Sequence, residues 1–256
     1  MTADLATHTF HAPDGTELAW RETGAGRPVV LLHGLMGSGR QLADSALAQA
    51  LAGQGYRLIL PDLRGHGDSG HPDDPACYPP DVLTDDVLAL IGQLGLEDYD
   101  LAGYSLGGRV VLRLLARGAR PARAVVGGQG LDALDAGTSR TGGYRRLLAA
   151  VAAGGSFAPG SAEAGLAAGI AQSGADPRAV SHILDTMVAT AHDALRPVPV
   201  PVLIVVGDDD SRGATAGELT ALLPAGQLSV VSGDHYTALD SPDFTAAVLS
   251  FLAGRH

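Results

Sequence analysis

Lysine is absent from this chain. All 17 basic residues are arginine, set against 28 acidic ones for a formal charge of −11. Without lysine there is no Schiff base, no pyridoxal-phosphate attachment, no Ser–Lys dyad and no phosphate-cradling GK[ST] loop. A nucleophilic serine here must draw on some other base. Cysteine is nearly absent too. Cys77 stands alone, which excludes an intrachain disulfide and a four-thiolate metal site. Aromatic residues make up only 4% of the chain while hydrophobic residues reach 46%, so a core must be built from Ala, Leu and Val. No basic block is present, and an acidic chain of this kind is a poor partner for nucleic acid or an anionic membrane. The stretch Met1–Phe10 lacks the basic and apolar regions of a secretory signal. Leu147–Ala171 reads apolar, but glycines, Pro159 and Glu163 interrupt it too often for a membrane span. A cytoplasmic protein acting on a small molecule is the expectation; its oligomeric state is not legible.

What is present is a regular alternation. Residues 8–22 alternate around Asp14-Gly15, a hairpin signal. Continuous apolar runs at 29–32 and 58–60 read as strands buried on both faces, the run at 202–206 is the clearest strand, and 99–102, 124–126 and 228–231 read as further strands. Helical patterns fall between them, at 40–52, 82–94, after 105, near 216–222 and at 242–253. Strands alternating with helices predict an α/β fold: a mostly parallel, twisted sheet with helices on both faces. Residues 129–197 break the rhythm. They show no clear strand, only helical patches around 144–152 and 178–195, and they end in the stiff run Pro197-Val198-Pro199-Val200-Pro201. The expected division is a core of 1–128 and 198–256, with 129–197 a helical cap inserted over the carboxyl edge of the sheet. The Ala/Gly tract at 149–171 is expected to be mobile.

One segment carries chemistry. Tyr99–Arg109 reads as a strand, then Gly103-Tyr104-Ser105-Leu106-Gly107, then a helix. G-x-S-x-G between a strand and a helix is a nucleophile elbow, a turn so tight that side chains two residues before and after the serine would collide. Ser105 is the candidate nucleophile, and it needs a base. His235, after the last strand, falls at the same edge of the sheet. Three acids, Asp208, Asp209 and Asp210, follow the strand at 202–206, and any of them suits the orienting role. The order Ser, Asp, His is that of a triad supplied by strand ends. For an oxyanion, the N–H of Leu106 is one donor. Leu35 N–H, after His33-Gly34, is the other, with Gly34 letting the backbone fold inward. Each such donor is worth roughly 3–4 kcal/mol to the transition state. Burial and pairing with one of these acids pull the imidazole of His235 in opposite directions, and an acid limb in kcat/KM is expected at about 6–7.5.

Taken in order, His33-Gly34, Asp62-Leu63-Arg64-Gly65-His66-Gly67-Asp68-Ser69, the elbow, Gly207 with Asp210, and the late His235 resemble the α/β-hydrolase superfamily along nearly the whole chain. The resemblance selects Asp210, three residues after Gly207, as the acid. It implies hydrolysis of a small carboxylic ester, thioester or lactone through an acyl-enzyme, with no cofactor and no metal. A serine at position 105 sets the chain apart from the epoxide hydrolases and dehalogenases of that superfamily, which carry aspartate there. His33, His66 and Arg64 read as structural loop residues. Tyr104 and Arg109 are the candidate substrate contacts. The run Gly103–Val110 is also similar to the menaquinone-pathway synthase branch. That similarity implies a pyruvate-eliminating lyase with a polyanionic substrate, for which Arg123, Arg140, Arg145 and Arg146 would join Arg109. A receptor that retains the triad without turnover is a further alternative.

Overall fold

The computed structural model describes residues 5–136, 138–173 and 175–254, without the side chains of 138–141, 162 and 172. Asp14-Gly15 turns the chain between β1 (Thr7–His11) and β2 (Glu17–Gly24), which pair antiparallel. β3 (Arg27–Leu32), β4 (Tyr56–Pro61), β5 (Asp100–Tyr104), β6 (Arg123–Gly127), β7 (Val202–Gly207) and β8 (Gly226–Val231) are parallel to one another. The result is one eight-stranded sheet in the order β1-β2-β4-β3-β5-β6-β7-β8. The apolar runs read from the sequence are its strands. β7, Val-Leu-Ile-Val-Val-Gly, is buried at every position because helices cover both of its faces.

The helices are α1 (Gly39–Ala43), α2 (Ala46–Gly53), α3 (Val82–Gln93), α4 (Leu106–Ala116), α5 (Thr138–Ala152), α6 (Ala162–Ser173), α7 (Pro177–Asp185), α8 (His192–Leu195), α9 (Ala216–Leu222) and α10 (Pro242–Ala253). Two apolar layers form where they meet the sheet. Val30, Leu101, Val126 and Ile204 pack with α3, α4 and α9 on one face, and Leu31, Ala102, Val125 and Val205 with α2 and α10 on the other. Among the described residues no helix is long and apolar enough to cross a membrane.

The single helix read at 40–52 is two. Ser45 interrupts it: its Oγ accepts from Ala48 N at 3.2 Å and donates to Leu42 O at 2.6 Å, capping α2. The patch at 178–195 is likewise split into α7 and α8. Between them the chain runs extended enough for Thr190 N to donate to Leu134 O, 2.7 Å away. The Ala/Gly tract expected to be mobile supplies the end of α5 and most of α6. Segment 129–197 has no strand among its described residues. Leu147, Leu148, Ile170, Val180 and Leu184 give it a small apolar cluster of its own.

Charged side chains brace the loop at 62–69 from beneath. The guanidinium of Arg64, 1% exposed, donates to Asp86 at 2.8 and 2.9 Å, and also reaches Asp14 and the carbonyl of Cys77. Removing one partner of such a buried pair costs about 3–5 kcal/mol, since the other charge is left unpaired. Asp62, also buried, accepts from Arg21 at 2.8 Å and from the N–H of Asp68 at 2.9 Å. Arg64 therefore holds the loop and does not line the cavity described below.

Candidate active site

Ser105 sits at the junction of β5 and α4 with φ 53° and ψ −113°, a left-handed conformation that is rare and strained for a residue with a side chain. The surrounding backbone enforces it. A Cβ on Gly103 would stand 2.4 Å from the Gly107 carbonyl carbon, and one on Gly107 would stand 2.3 Å from Leu32 O. The nearest collision that Gly107 avoids is with the end of β3. The N–H of Ser105 donates to Gly127 O at 2.9 Å, and the amide of Gln129 donates to the Ser105 carbonyl. Nothing in the sequence pattern singles out Gln129, because its partner is a backbone oxygen from another strand end.

The three acids after β7 separate cleanly. Asp208 is exposed and accepts from Gly233 N at 2.8 Å, and Asp209 is exposed. Asp210 is buried, and its Oδ2 lies 2.7 Å from His235 Nδ1. The other ring nitrogen of His235, Nε2, lies 2.9 Å from Ser105 Oγ. The structure therefore brings Ser105, His235 and Asp210 into one hydrogen-bonded chain, from the ends of β5, β8 and β7. Asp234 shapes the histidine loop by accepting from the N–H groups of Tyr236 and Thr237, both at 2.9 Å. Tyr104 lines the cavity, and its hydroxyl donates to His235 O at 2.8 Å, which steadies the histidine and leaves the phenol oxygen only as an acceptor.

Above this chain is a cavity of about 470 Å³, lined among others by Leu35, Leu106, Tyr144, Leu184, Met187 and Tyr236. Tyr144 of α5 and Leu184 of α7, from segment 129–197, form part of its wall. The N–H groups of Leu35 and Leu106 have no acceptor among the described residues. The loop bearing Leu35 is held by its carbonyl, which accepts from His66 Nε2 at 2.5 Å. Gly34 does not have the steric role read from the sequence, since a Cβ there would meet Ser105 Cβ at an ordinary 3.5 Å. Crowding falls on Gly37 instead, whose Cβ would stand 3.0 Å from that of His33.

Among the described residues, the arginines named for a polyanionic substrate do not gather at the cavity. Arg123 lies at the start of β6, the opposite edge of the sheet, with its guanidinium 5.1 Å from the ring centroid of Phe251. Arg145 pairs with Asp185, Arg146 does not line the cavity, and the side chain of Arg140 lies outside the described residues. Arg109 does line it, donating to the carbonyls of Asp135 and Val188. A second arginine, Arg212, went unread in the sequence. Its Nη1 lies 3.0 Å from Ser105 Oγ and 2.7 Å from His235 Nε2. Asp210 places it: Oδ1 of that carboxylate accepts from Arg212 N at 2.9 Å, capping the short 3₁₀ turn Ser211–Thr215. A side chain two residues beyond a strand-end acid carries no period or motif that would have marked it.

The pull on the imidazole is not evenly balanced. Burial, followed by the charge of Arg212, holds His235 below its ordinary value, and the opposing effects of Asp210 and Asp234 do not restore it. Arg212 disfavours the protonated ring, so its removal should raise the titration. The acid limb of kcat/KM on a neutral ester is therefore expected below about 6.5, the value of an ordinary histidine. It should move to higher pH in Arg212→Ala. Parallel pH profiles of the two proteins check this; a limb that stays in place, or moves down, contradicts the assignment.

Residues 27–138 match the family model described as alpha/beta hydrolase fold. A bromoperoxidase structure from Bacillus anthracis is 28% identical, covers 96% of this chain and 100% of its own, and superposes with a TM-score of 0.74. The chain has the α/β-hydrolase fold. An esterase from Rhodococcus sp. ECU1013 is 28% identical with a TM-score of 0.72, over 98% of this chain and 99% of that one. A non-heme haloperoxidase from Rhodococcus erythropolis is 38% identical over 45% of this chain and 41% of its own length. The chain spans about two fifths of the first curated relatives it matches, 40%, 41% and 36% of their lengths.

Proposed function

We propose that the protein is a serine hydrolase that cleaves small carboxylic esters, thioesters or lactones through an acyl-enzyme on Ser105. The observation that carries this reading is the chain from Ser105 Oγ through His235 to Asp210, at 2.9 and 2.7 Å, beneath a cavity beside two N–H groups that have no acceptor among the described residues. The similar esterase from Rhodococcus sp. ECU1013 supports it.

In the first half-reaction Ser105 Oγ bonds to the acyl carbon as its proton passes to His235 Nε2. The oxyanion faces Leu35 and Leu106 N–H. The carbon–leaving-group bond breaks, and the proton on Nε2 goes to the departing alcohol, thiol or ring oxygen. Water then attacks the acyl carbon with His235 again taking a proton, and Ser105 leaves protonated. Asp210 keeps Nδ1 as the N–H side of the ring throughout and stabilises the imidazolium that forms. No electrons are exchanged and no cofactor is required. The low setting of His235 keeps the ring a base at neutral pH.

A fluorophosphonate should label the protein once, at Ser105 by peptide mass, and p-nitrophenyl esters should give an acyl burst. A protein that is folded, unlabelled and without a burst would be a binding protein on this fold and not a hydrolase.

A further inference from the structure

Arg212 takes no part in the steps above, yet its Nη1 touches both the serine oxygen and the ring nitrogen that exchange a proton. We propose that Arg212 anchors a carboxylate on the acyl side of the substrate, so that the preferred substrates are monoesters or monothioesters of short dicarboxylic acids. This rests on the acyl-enzyme reading of Ser105.

The first argument is charge. The guanidinium is half-buried in the cavity wall, and its partners there are a hydroxyl and an imidazole, both neutral. It makes no ion pair with a carboxylate of the described residues. A cation removed from water and left without an anion is an unfavourable arrangement that an incoming carboxylate relieves, and the planar fork of arginine suits a carboxylate in particular. Arg109, the other cavity arginine, is differently placed. Its Nη2 already donates to the carbonyls of Asp135 and Val188, tying α4 to segment 129–197.

The second argument is position. The turn carrying Arg212 is fixed from two sides. Asp210 caps it, and Gly130 lies so close that a Cβ there would stand 2.3 Å from Arg212 O. The side chain reaches Ser105 Oγ at 3.0 Å, the atom to which the acyl carbon bonds. A carboxylate held by that guanidinium must sit within about one or two carbons of the scissile carbonyl, since extended chain covers only about 3.3–3.6 Å per three bonds. The acidic side chains on the wall, Asp132 and Asp135, belong to segment 129–197 and are exposed. Leu35, Leu184, Met187 and Leu239 leave the remaining wall apolar for a small leaving group.

The third argument is the proton. Nε2 has one lone pair, and in the unliganded site Arg212 at 2.7 Å competes for it with Ser105 at 2.9 Å. A carboxylate that draws the guanidinium away returns the lone pair to the serine. Substrate charge thereby completes the base, and neutral esters acylate against that competition.

The test compares monomethyl succinate with methyl butyrate, and monomethyl adipate with methyl hexanoate, on the wild type, Arg212→Ala and Arg212→Lys, following methanol release. In the wild type kcat/KM should favour monomethyl succinate over methyl butyrate by about tenfold to a hundredfold, the worth of a charge-assisted contact. The adipate pair should show a smaller preference. In Arg212→Ala the succinate preference should fall toward one, with part of it kept in Arg212→Lys. Free glutarate should also slow fluorophosphonate labelling of the wild type, a measurement that needs no variant. A wild-type ratio at or below one overturns the proposal. So does an Arg212→Ala protein that loses both esters of a pair equally, since the guanidinium would then be a third oxyanion donor. Labelling of Ser105 separates the two levels: a labelled enzyme indifferent to the carboxylate overturns this proposal alone, whereas no labelling and no turnover of any ester overturns the hydrolytic reading with it.

Discussion

Ser105→Ala should abolish ester turnover, by about 10⁶ in kcat on the scale of serine hydrolases deprived of their nucleophile. The loss is expected to be this large because Oγ is the only atom of the side chain that the mechanism uses, and water cannot take its place at the tip of the turn. The fold should survive. Alanine keeps a Cβ at φ 53°, so the local strain is unchanged, and the backbone bond from residue 105 to Gly127 O remains. Unfolding midpoint and circular dichroism of the variant should match the wild type while hydrolysis and fluorophosphonate labelling disappear together. Retention of more than a few per cent of activity in a contaminant-free preparation would mean that another residue is the nucleophile.

Asp210→Asn should cost less but still cripple the enzyme, by about 10⁴ in kcat by comparison with a buried triad acid elsewhere. The amide is the size of the carboxylate, and its oxygen can still accept from Arg212 N, so the 3₁₀ turn keeps its cap. What changes is the hydrogen-bond sense toward His235 Nδ1. An amide N–H there places the ring proton on Nε2, where the serine needs a lone pair. Asp208→Asn and Asp209→Asn, at exposed positions, should leave kcat within a few-fold of wild type. Side-by-side kinetics of the three variants decide the matter; if either exposed aspartate proves the crippling change, the roles drawn from the 2.7 Å contact are wrong.

The sheet was legible because its signals are local. An unbroken run such as Val202–Val206 allows little but a strand covered on both faces, and Gly15 marks the hairpin within its own segment. Ser105, Asp210 and His235 were legible for a related reason, since each follows an apolar run and the strand ends converge at one edge. Choosing among Asp208, Asp209 and Asp210 took a resemblance in the sequence and a carboxylate's direction in the structure. The misread parts depend on contacts between distant segments. Gly34 was given a steric task that belongs to Gly37, because the crowding comes from the course of the loop. Ser45 broke a helix that apolar spacing alone carried through. Arg212 had no signal, because its importance lies in two atoms contributed by residues 107 and 23 positions away.

Asp210 serves two neighbours with its two oxygens, one holding the ring of His235 and the other the backbone of Arg212. The base and the backbone that carries the guanidinium are therefore held apart by the width of a single carboxylate and the step from Asp210 to Arg212. The residue at position 212 can in turn be exchanged without moving the acid or the base. Machinery and selectivity are thus adjacent in space yet separable in the gene, and one codon retunes what the site accepts while the reaction stays the same.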